Sequence, residues 1–163
     1  MSKLAILCVD DQPEVLSALS KDLAPLASSC EIIEADGAEA AIGVIDELED
    51  AGIPLALVIS DHVMPGISGV EFLTKLETSG RHPHLRKILL TGQATHTDTI
   101  LAINEAHVDS YIAKPWDLDS LLETVQRQLT AYVLDLGLNQ DDFRAILVPE
   151  LIFEHQRRFG RDA

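Results

Sequence analysis

Leu57-Val58-Ile59-Ser60-Asp61-His62-Val63-Met64-Pro65-Gly66 is the stretch that decides the architecture. A short apolar run, rich in β-branched residues, stops at a carboxylate, and a Pro-Gly turn follows. Such a run reads as a buried strand that carries one acid to the lip of a sheet. Asp61 is therefore the first candidate for chemistry.

Working outward, Leu4-Ala5-Ile6-Leu7-Cys8-Val9 is continuously apolar, as a central strand covered on both faces must be, and it ends on Asp10-Asp11. Pro13 suits a first helical turn, and Glu14 sits where the helix dipole favours an acid. Val15, Leu16, Leu19, Leu23 and Leu26 follow at helical spacing, with Pro25 marking the end. Glu31-Ile32-Ile33-Glu34-Ala35 is a more polar strand and so lies nearer an edge. Gly37 opens a helix with Ala41, Val44, Ile45 and Leu48 as its stripe. After Asp61, Ser68 caps a helix bearing Val70, Phe72, Leu73 and Leu76.

The fourth strand is Lys87-Ile88-Leu89-Leu90-Thr91, ended by Gly92. Thr97-Asp98 starts a fourth helix through Ile100, Leu101, Ile103 and Ala106. Val108-Asp109-Ser110-Tyr111-Ile112-Ala113 is the fifth strand, followed by Lys114-Pro115-Trp116. Asp117 begins a fifth helix through Leu118, Leu121, Leu122, Val125 and Leu129. Five strands alternating with five helices over short connections imply right-handed βαβ crossovers and a doubly wound parallel α/β sheet. Ligands of such sheets sit at the carboxyl ends of the strands, where strand order reverses. Asp10-Asp11, Asp61, Thr91 and Lys114 occupy four of those ends. Each alone is an ordinary loop residue; four on one rim form a site.

Composition narrows the function classes. The 163 residues, 47% hydrophobic, suffice for one domain with a tail and a core that needs no staples. No apolar run approaches a membrane span, and Met1-Ser2-Lys3-Leu4 lacks the layout of a signal peptide. The expectation is a soluble cytoplasmic chain, with Cys8 and Cys30 as buried free thiols. A net charge of −15 argues against a nucleic-acid-binding face. Residues 1–135 hold 22 acids and 8 bases (22 − 8, a balance of −14), whereas residues 136–163 hold 5 acids and 4 bases, a balance of −1.

Two carboxylates ~4 Å apart repel by about 4 kcal/mol at an effective dielectric near 20. A proton or a cation must relieve that, and a hard divalent ion with oxygen ligands, Mg²⁺ first among them, suits Asp10, Asp11 and Asp61. A carboxylate beside such an ion can attack phosphorus and become an acyl phosphate. Lys114 then supplies a second cation and the Thr91 hydroxyl a donor for the phosphoryl oxygens.

Val9-Asp10-Asp11-Gln12-Pro13, Asp61 through Gly69, Leu90-Thr91-Gly92 and Tyr111-Ile112-Ala113-Lys114-Pro115, in that order and spacing, resemble the receiver domain of two-component response regulators, from Lys3 to about Leu129. The resemblance implies a flavodoxin-like (βα)5 sheet of strand order 2-1-3-4-5. It makes Asp61 the phosphoacceptor, served by a sensor histidine kinase or phosphotransfer protein. Asp11, Asp61 and the Val63 backbone carbonyl would hold Mg²⁺ (or Mn²⁺) directly, with Asp10 acting largely through water. Lys114 would pair with phosphoryl oxygens, while Thr91 and Tyr111 would relay the new charge to the surface of the fourth helix, fifth strand and fifth helix. That surface would control an output domain or downstream protein, or form a homodimer. The Lys114–Pro115 bond is similar to one that is cis in the family. Val63 and Gln93 stand where the family tunes phosphate loss; Val63 cannot hydrogen-bond an attacking water and Gln93 can, which implies slow to intermediate self-dephosphorylation.

On this reading the chain is no enzyme beyond its own phosphorylation and dephosphorylation. The alternative is an aspartyl-phosphate phosphatase or phosphotransferase. The haloacid-dehalogenase-like enzymes need a second Asp two residues after the nucleophile, where this chain has Val63. A flavodoxin-like flavin binder would want a Ser/Thr/Gly-rich loop after the first strand, not Asp10-Asp11. His82-Pro83-His84 reads as a solvated loop rather than a metal pair, and His62, beside the acceptor, either brushes the phosphate or, by default, points to water. Tyr111 is an edge-packing residue if not a switch, and Trp116 sits either in the packing or on a partner face.

The division expected is a receiver over residues 1–130 and a helical extension over 131–163, serving as a linker or dimerisation arm. Asn139-Gln140-Asp141-Asp142 looks like an N-cap with an acidic first turn. Phe143, Ile146, Leu147, Leu151, Ile152 and Phe153 make an apolar stripe interrupted by Pro149, which kinks it or starts a second helix. The stripe either folds back on the receiver or serves as an arm. It holds no helix-turn-helix and few bases, so no DNA-binding element is expected in it.

Overall fold

A computed structural model describes residues 3–92 and 104–159. Strands β1 (Leu4–Val9), β2 (Cys30–Ala35), β3 (Leu55–Asp61), β4 (Arg86–Thr91) and β5 (Ser110–Ala113) form one parallel sheet in the order β2-β1-β3-β4-β5. Every residue of β1 and β3 is buried, as their unbroken apolar runs require, whereas β2 at the edge is half solvated.

Helices α1 (Pro13–Leu23), α2 (Ala38–Ala51), α3 (Gly69–Ser79) and α4 (Leu118–Asp135) cover the sheet. Alternation along the strands splits the core into two layers. Leu4, Ile6, Cys8, Ile59, Ile88 and Leu90 meet α1 and α4, while Ala5, Leu7, Val9, Val58 and Leu89 meet α2 and α3. Pro13 occupies the first turn of α1, the Ser68 hydroxyl accepts from the Glu71 amide at 3.1 Å, and the Asp117 carboxylate accepts from the Ser120 amide at 3.0 Å. The fourth helix expected from Thr97 lies outside the described residues, apart from its end at Asn104 and Glu105 and the buried Ala106. Cys8 and Cys30 are free and buried, and burial pushes both thiols up to about 12. No described helix is long and apolar enough to cross a membrane.

The fifth strand starts at Ser110, two residues later than its apolar pattern suggests. The Asp109 carboxylate takes the ladder position, accepting from the Lys87 amide at 2.8 Å and pairing with Arg86 at 3.1 Å. His107 just before it is left-handed, with φ 51°.

At the other end, α4 runs unbroken through residue 130 to Asp135, so a division at 130/131 falls inside a helix. Gly137, with φ 61°, then turns the chain back, and Leu138 donates to the Val133 carbonyl at 3.0 Å. Asn139 caps a single 3₁₀ turn, Gln140–Phe143, rather than a longer helix. Phe143, Ile146 and Leu147 are buried in the same cluster as Leu19, Leu23, Val125, Leu129 and Val133. Each such burial stabilises by about 1.5–3 kcal/mol. The fully buried Thr130 hydroxyl donates to the Gln126 carbonyl at 2.7 Å and accepts from the Val148 amide at 3.0 Å. Pro149 opens a short helix, α5 (Pro149–Phe159), which splits the predicted stripe: Leu151 and Ile152 are half-buried and Phe153 is 65% exposed.

The extension thus contributes to the core. Phe143→Ala is expected to lower unfolding free energy in urea by about 3–5 kcal/mol. Thr130→Val, which strands the Val148 amide, is expected to lower it by about 1–3 kcal/mol. Unchanged urea midpoints in both would show that the extension is not part of the folding unit.

Candidate functional site

The strand order reverses between β1 and β3, and their carboxyl ends open a crevice there. Asp10 follows β1, its amide held by the Ala35 carbonyl at 3.2 Å. Asp61 is the last residue of β3, and the next amide, of His62, donates to the Leu90 carbonyl at 3.2 Å. Thr91 ends β4 and its carbonyl accepts from the Lys114 amide at 2.8 Å, which carries Lys114 past the end of β5. Asp11, Asp61, Thr91 and Lys114, with Gln12, His62, Val63 and Gly92, line one cleft of about 340 Å³.

Lys114 organises its charges. Its ammonium donates to Asp10 Oδ2 at 2.8 Å and lies 3.0 Å from Asp61 Oδ1. Asp10 Oδ1 accepts from the Gln12 amide at 2.9 Å, so both oxygens of this fully buried carboxylate are engaged by the protein. Burial raises the Asp61 pKa and Asp10 adds to the rise, against the Lys114 hydrogen bond. Burial alone would lower the Lys114 pKa, but the hydrogen bonds to Asp10 and Asp61 outweigh it, and the net shift is upward.

Oxygens of Asp10, Asp11 and Asp61 lie within 4.8 Å of one another, the only such metal-compatible cluster among the described residues. Three carboxylates answered by one ammonium leave the site two negative charges in excess. The all-oxygen donor set, with Asp11 exposed, fits a hard divalent cation. In the His82-Pro83-His84 segment, His82 Nε2 lies 2.9 Å from Glu49 Oε1. A larger cleft of about 410 Å³ sits at the opposite ends of the strands, with Glu49, Arg81, His82 and His84 among its lining residues.

Tyr111 is 58% exposed and turned away from the cleft, and Val63 is 76% exposed at its mouth. The Lys114–Pro115 bond is cis. Trp116 packs partly buried against the α1 and α4 layer, where its indole donates to Asp22 of α1 at 2.8 Å. Gln93 lies outside the described residues. Sequence reasoning missed the reason for Gly69. A Cβ there would stand 1.9 Å from the Asp61 carbonyl oxygen, and the Gly69 amide donates to the His62 carbonyl at 2.8 Å. Its position just after the Ser68 cap was the available signal, since glycine is a poor opening residue for a helix unless backbone must approach closely.

Comparison with known proteins decides the family: residues 6–126 match the response regulator receiver domain. The chain belongs to that family. This receiver is 31% identical over 137 residues to the hydrogenase transcriptional regulatory protein HoxA of Cupriavidus necator, covering 84% of this chain and 26% of that protein. It is 34% identical over 122 residues to the response regulator protein FleR of Pseudomonas aeruginosa, covering 75% and 24%. A probable cyclic di-GMP phosphodiesterase of Vibrio cholerae matches at 31% over 144 residues, covering 88% and 31%. The receiver therefore spans about a quarter to a third of the length of these relatives. Among solved structures, the signal receiver domain of an HD domain-containing protein from Pseudomonas fluorescens Pf-5 superimposes with a TM-score of 0.70 at 30% identity, covering 80% of this chain and 97% of that one. A CheY-like receiver domain protein from Methanospirillum hungatei gives 0.69 at 27% identity, with the same coverage. Receivers are signalling switches and typically bind Mg²⁺ through acidic residues, and the acidic cluster here accords with both.

Two outcomes test the site itself. Gly69→Ala must displace the Asp61 peptide, and an unchanged Mg²⁺ affinity in that variant would refute the close-packing account. The second follows from proton linkage. Asp61 holds its proton more tightly folded than unfolded, so its ionisation opposes folding once the pH exceeds the ordinary value of 3.8. Without divalent metal, Asp61→Asn is expected to raise the urea midpoint at neutral pH, and the gain should fade as the pH falls through the raised folded-state pKa and be gone below 3.8.

Proposed function

We propose that this receiver is a phosphorylation-activated switch whose phosphoacceptor is Asp61. The observation that carries the reading is the Lys114 ammonium, 2.8 Å from Asp10 and 3.0 Å from Asp61, which favours the ionised form of the Asp61 carboxylate against its burial, beside a cluster suited to a divalent cation. The donor is a phosphohistidine of a sensor kinase or phosphotransfer protein. An oxygen of Asp61 attacks phosphorus, the P–N bond breaks, and the imidazole leaves with its electron pair and takes up a proton. Lys114 follows the transferred charge by pairing with a phosphoryl oxygen, and the Thr91 hydroxyl donates to another.

Asp11, Asp61 and the Val63 carbonyl are the proposed holders of Mg²⁺ or Mn²⁺, with Asp10, already committed to Lys114 and Gln12, acting through water. The ion's contribution is to neutralise charge on the phosphoryl oxygens. Tyr111 and Thr91 are the proposed relay to the face that presents Tyr111 and Leu118, 58% and 47% exposed. An output region or separate protein reads that face; the activities named for the relatives, transcriptional regulation and cyclic di-GMP phosphodiesterase, are the kinds of output it would govern. Val63, exposed where a phosphatase would carry its second Asp, favours holding phosphate over turning it over, and with Gln93 it sets a slow to intermediate loss.

The sole tryptophan reports the event, because Trp116 lies two residues past Lys114 and is tied to α1. Acetyl phosphate or a beryllofluoride salt should change its fluorescence only with Mg²⁺ present, and Asp61→Ala should abolish the change. Steady turnover of phosphomonoesters would instead establish the enzyme reading, and a phosphate half-life of seconds would exclude the role given to Val63.

A further inference from the structure

None of the residues of α5 is buried, and Phe153 and Phe159 are 65% and 64% exposed. Leu151, Ile152 and His155 face inward toward α4, with a crevice of about 220 Å³ left between the two helices. On the outer side Glu150, Phe153 and Arg157 recur at i, i+3 and i+7, the spacing that aligns side chains on one helical face. Charge along the helix is segregated, with Glu150 and Glu154 in its first half and Arg157 and Arg158 in its last turn.

We propose that the outer face of α5 is a self-association surface on which a second copy of this chain docks its own α5 in antiparallel orientation. The occupant follows from charge. Residues 1–135 carry −14 (8 − 22) and residues 136–163 carry −1 (4 − 5), so two copies repel wherever their receiver surfaces meet and are spared this at the extension. The charge order of α5 is complementary to itself only when reversed. About a two-fold axis beside Phe153, Glu150 of each copy faces Arg157 of the other, the two Phe153 rings pack together, and the helix dipoles oppose. A parallel pairing would set Glu150 against Glu150. A seam of three turns, about 16 Å long, places the dimer among weak, concentration-dependent assemblies rather than permanent ones. The pairing engages no residue of the phosphoacceptor cleft, so it stands apart from the switch reading.

Sedimentation equilibrium of the full chain over a range of concentrations tests the pairing, with circular dichroism confirming that each variant folds. The unaltered chain is expected to shift from monomer toward dimer. Glu150→Arg and Arg157→Glu, each placing two like-charged contacts in the symmetric seam, should weaken association by roughly tenfold or more. The double variant Glu150→Arg/Arg157→Glu should recover it, and the two single variants mixed should pair with each other in preference to themselves. Phe153→Ser should abolish association. A chain that stays monomeric throughout, which would leave the face to solvent or to a different protein, overturns the proposal. So do single variants that associate normally, or a double variant no stronger than the singles.

Discussion

The site rests on one electrostatic constraint: carboxylates gathered at the switch point of a parallel sheet must be answered by a cation from elsewhere in the fold. Asp10 is fully buried and Asp61 nearly so, and neither position tolerates an uncompensated charge. Lys114 answers both, although β5 is separated from β3 by β4, a span of roughly 9–10 Å across two strand spacings. Only a long side chain bridges that gap, and the Lys114 amide bonded to the Thr91 carbonyl holds its stem in position to do so. The arrangement is poised rather than saturated, because Asp11 remains exposed and the cluster remains net negative.

Placing the Asp61 carboxylate is a second constraint, met by backbone. Asp61 leaves β3 into a loop that turns at Pro65-Gly66, with Gly66 at φ 85°, and re-enters structure at Ser68. The start of α3 then lies directly on the Asp61 peptide, close enough that only glycine fits at residue 69. The loop is clamped at both ends, by the His62 amide on β4 and the His62 carbonyl on α3. The Asp61 carboxylate is therefore presented at the rim of the cleft by backbone packed and hydrogen-bonded on both sides.

These parts differed in how legible they were from sequence alone. Asp10, Asp11, Asp61, Thr91 and Lys114 could be found because each directly follows an apolar run, and parallel topology sends all such positions to one rim. The doubly wound parallel sheet followed from the same periodicity, whereas its strand order came from the family resemblance. What stayed hidden depended on contacts between elements distant in sequence. Lys87 reads as a polar strand start, yet it is 3% exposed and paired with Glu77 of α3, whose carboxyl is held below the ordinary range by that hydrogen bond. The indole of Trp116 reaches Asp22 across the α1 and α4 layer, and nothing local to either residue announces it. Asp109 displaces the start of β5 by side-chain capture of the Lys87 amide, a competition that strand propensity does not register. In the extension the stripe pattern was visible, but its division into buried Phe143, Ile146 and Leu147 and exposed Phe153 is set by Gly137 and Pro149, which reorient the chain between them.

The family match ends at residue 126, but the hydrophobic core does not. Tyr132, Val133, Phe143, Ile146 and Leu147 continue the cluster that β1, α1 and α4 build, and Thr130 fastens the Val148 amide to the last two turns of α4. Helix α4 begins at the Asp117 cap, three residues beyond Lys114, and runs 18 residues, about 27 Å, to the turn that launches the extension. It is a continuous hydrogen-bonded rod with the acidic rim of the sheet near one end and the extension packed along the other. Its first turn is tied back to α1 through Trp116, and its last two turns carry the returning chain.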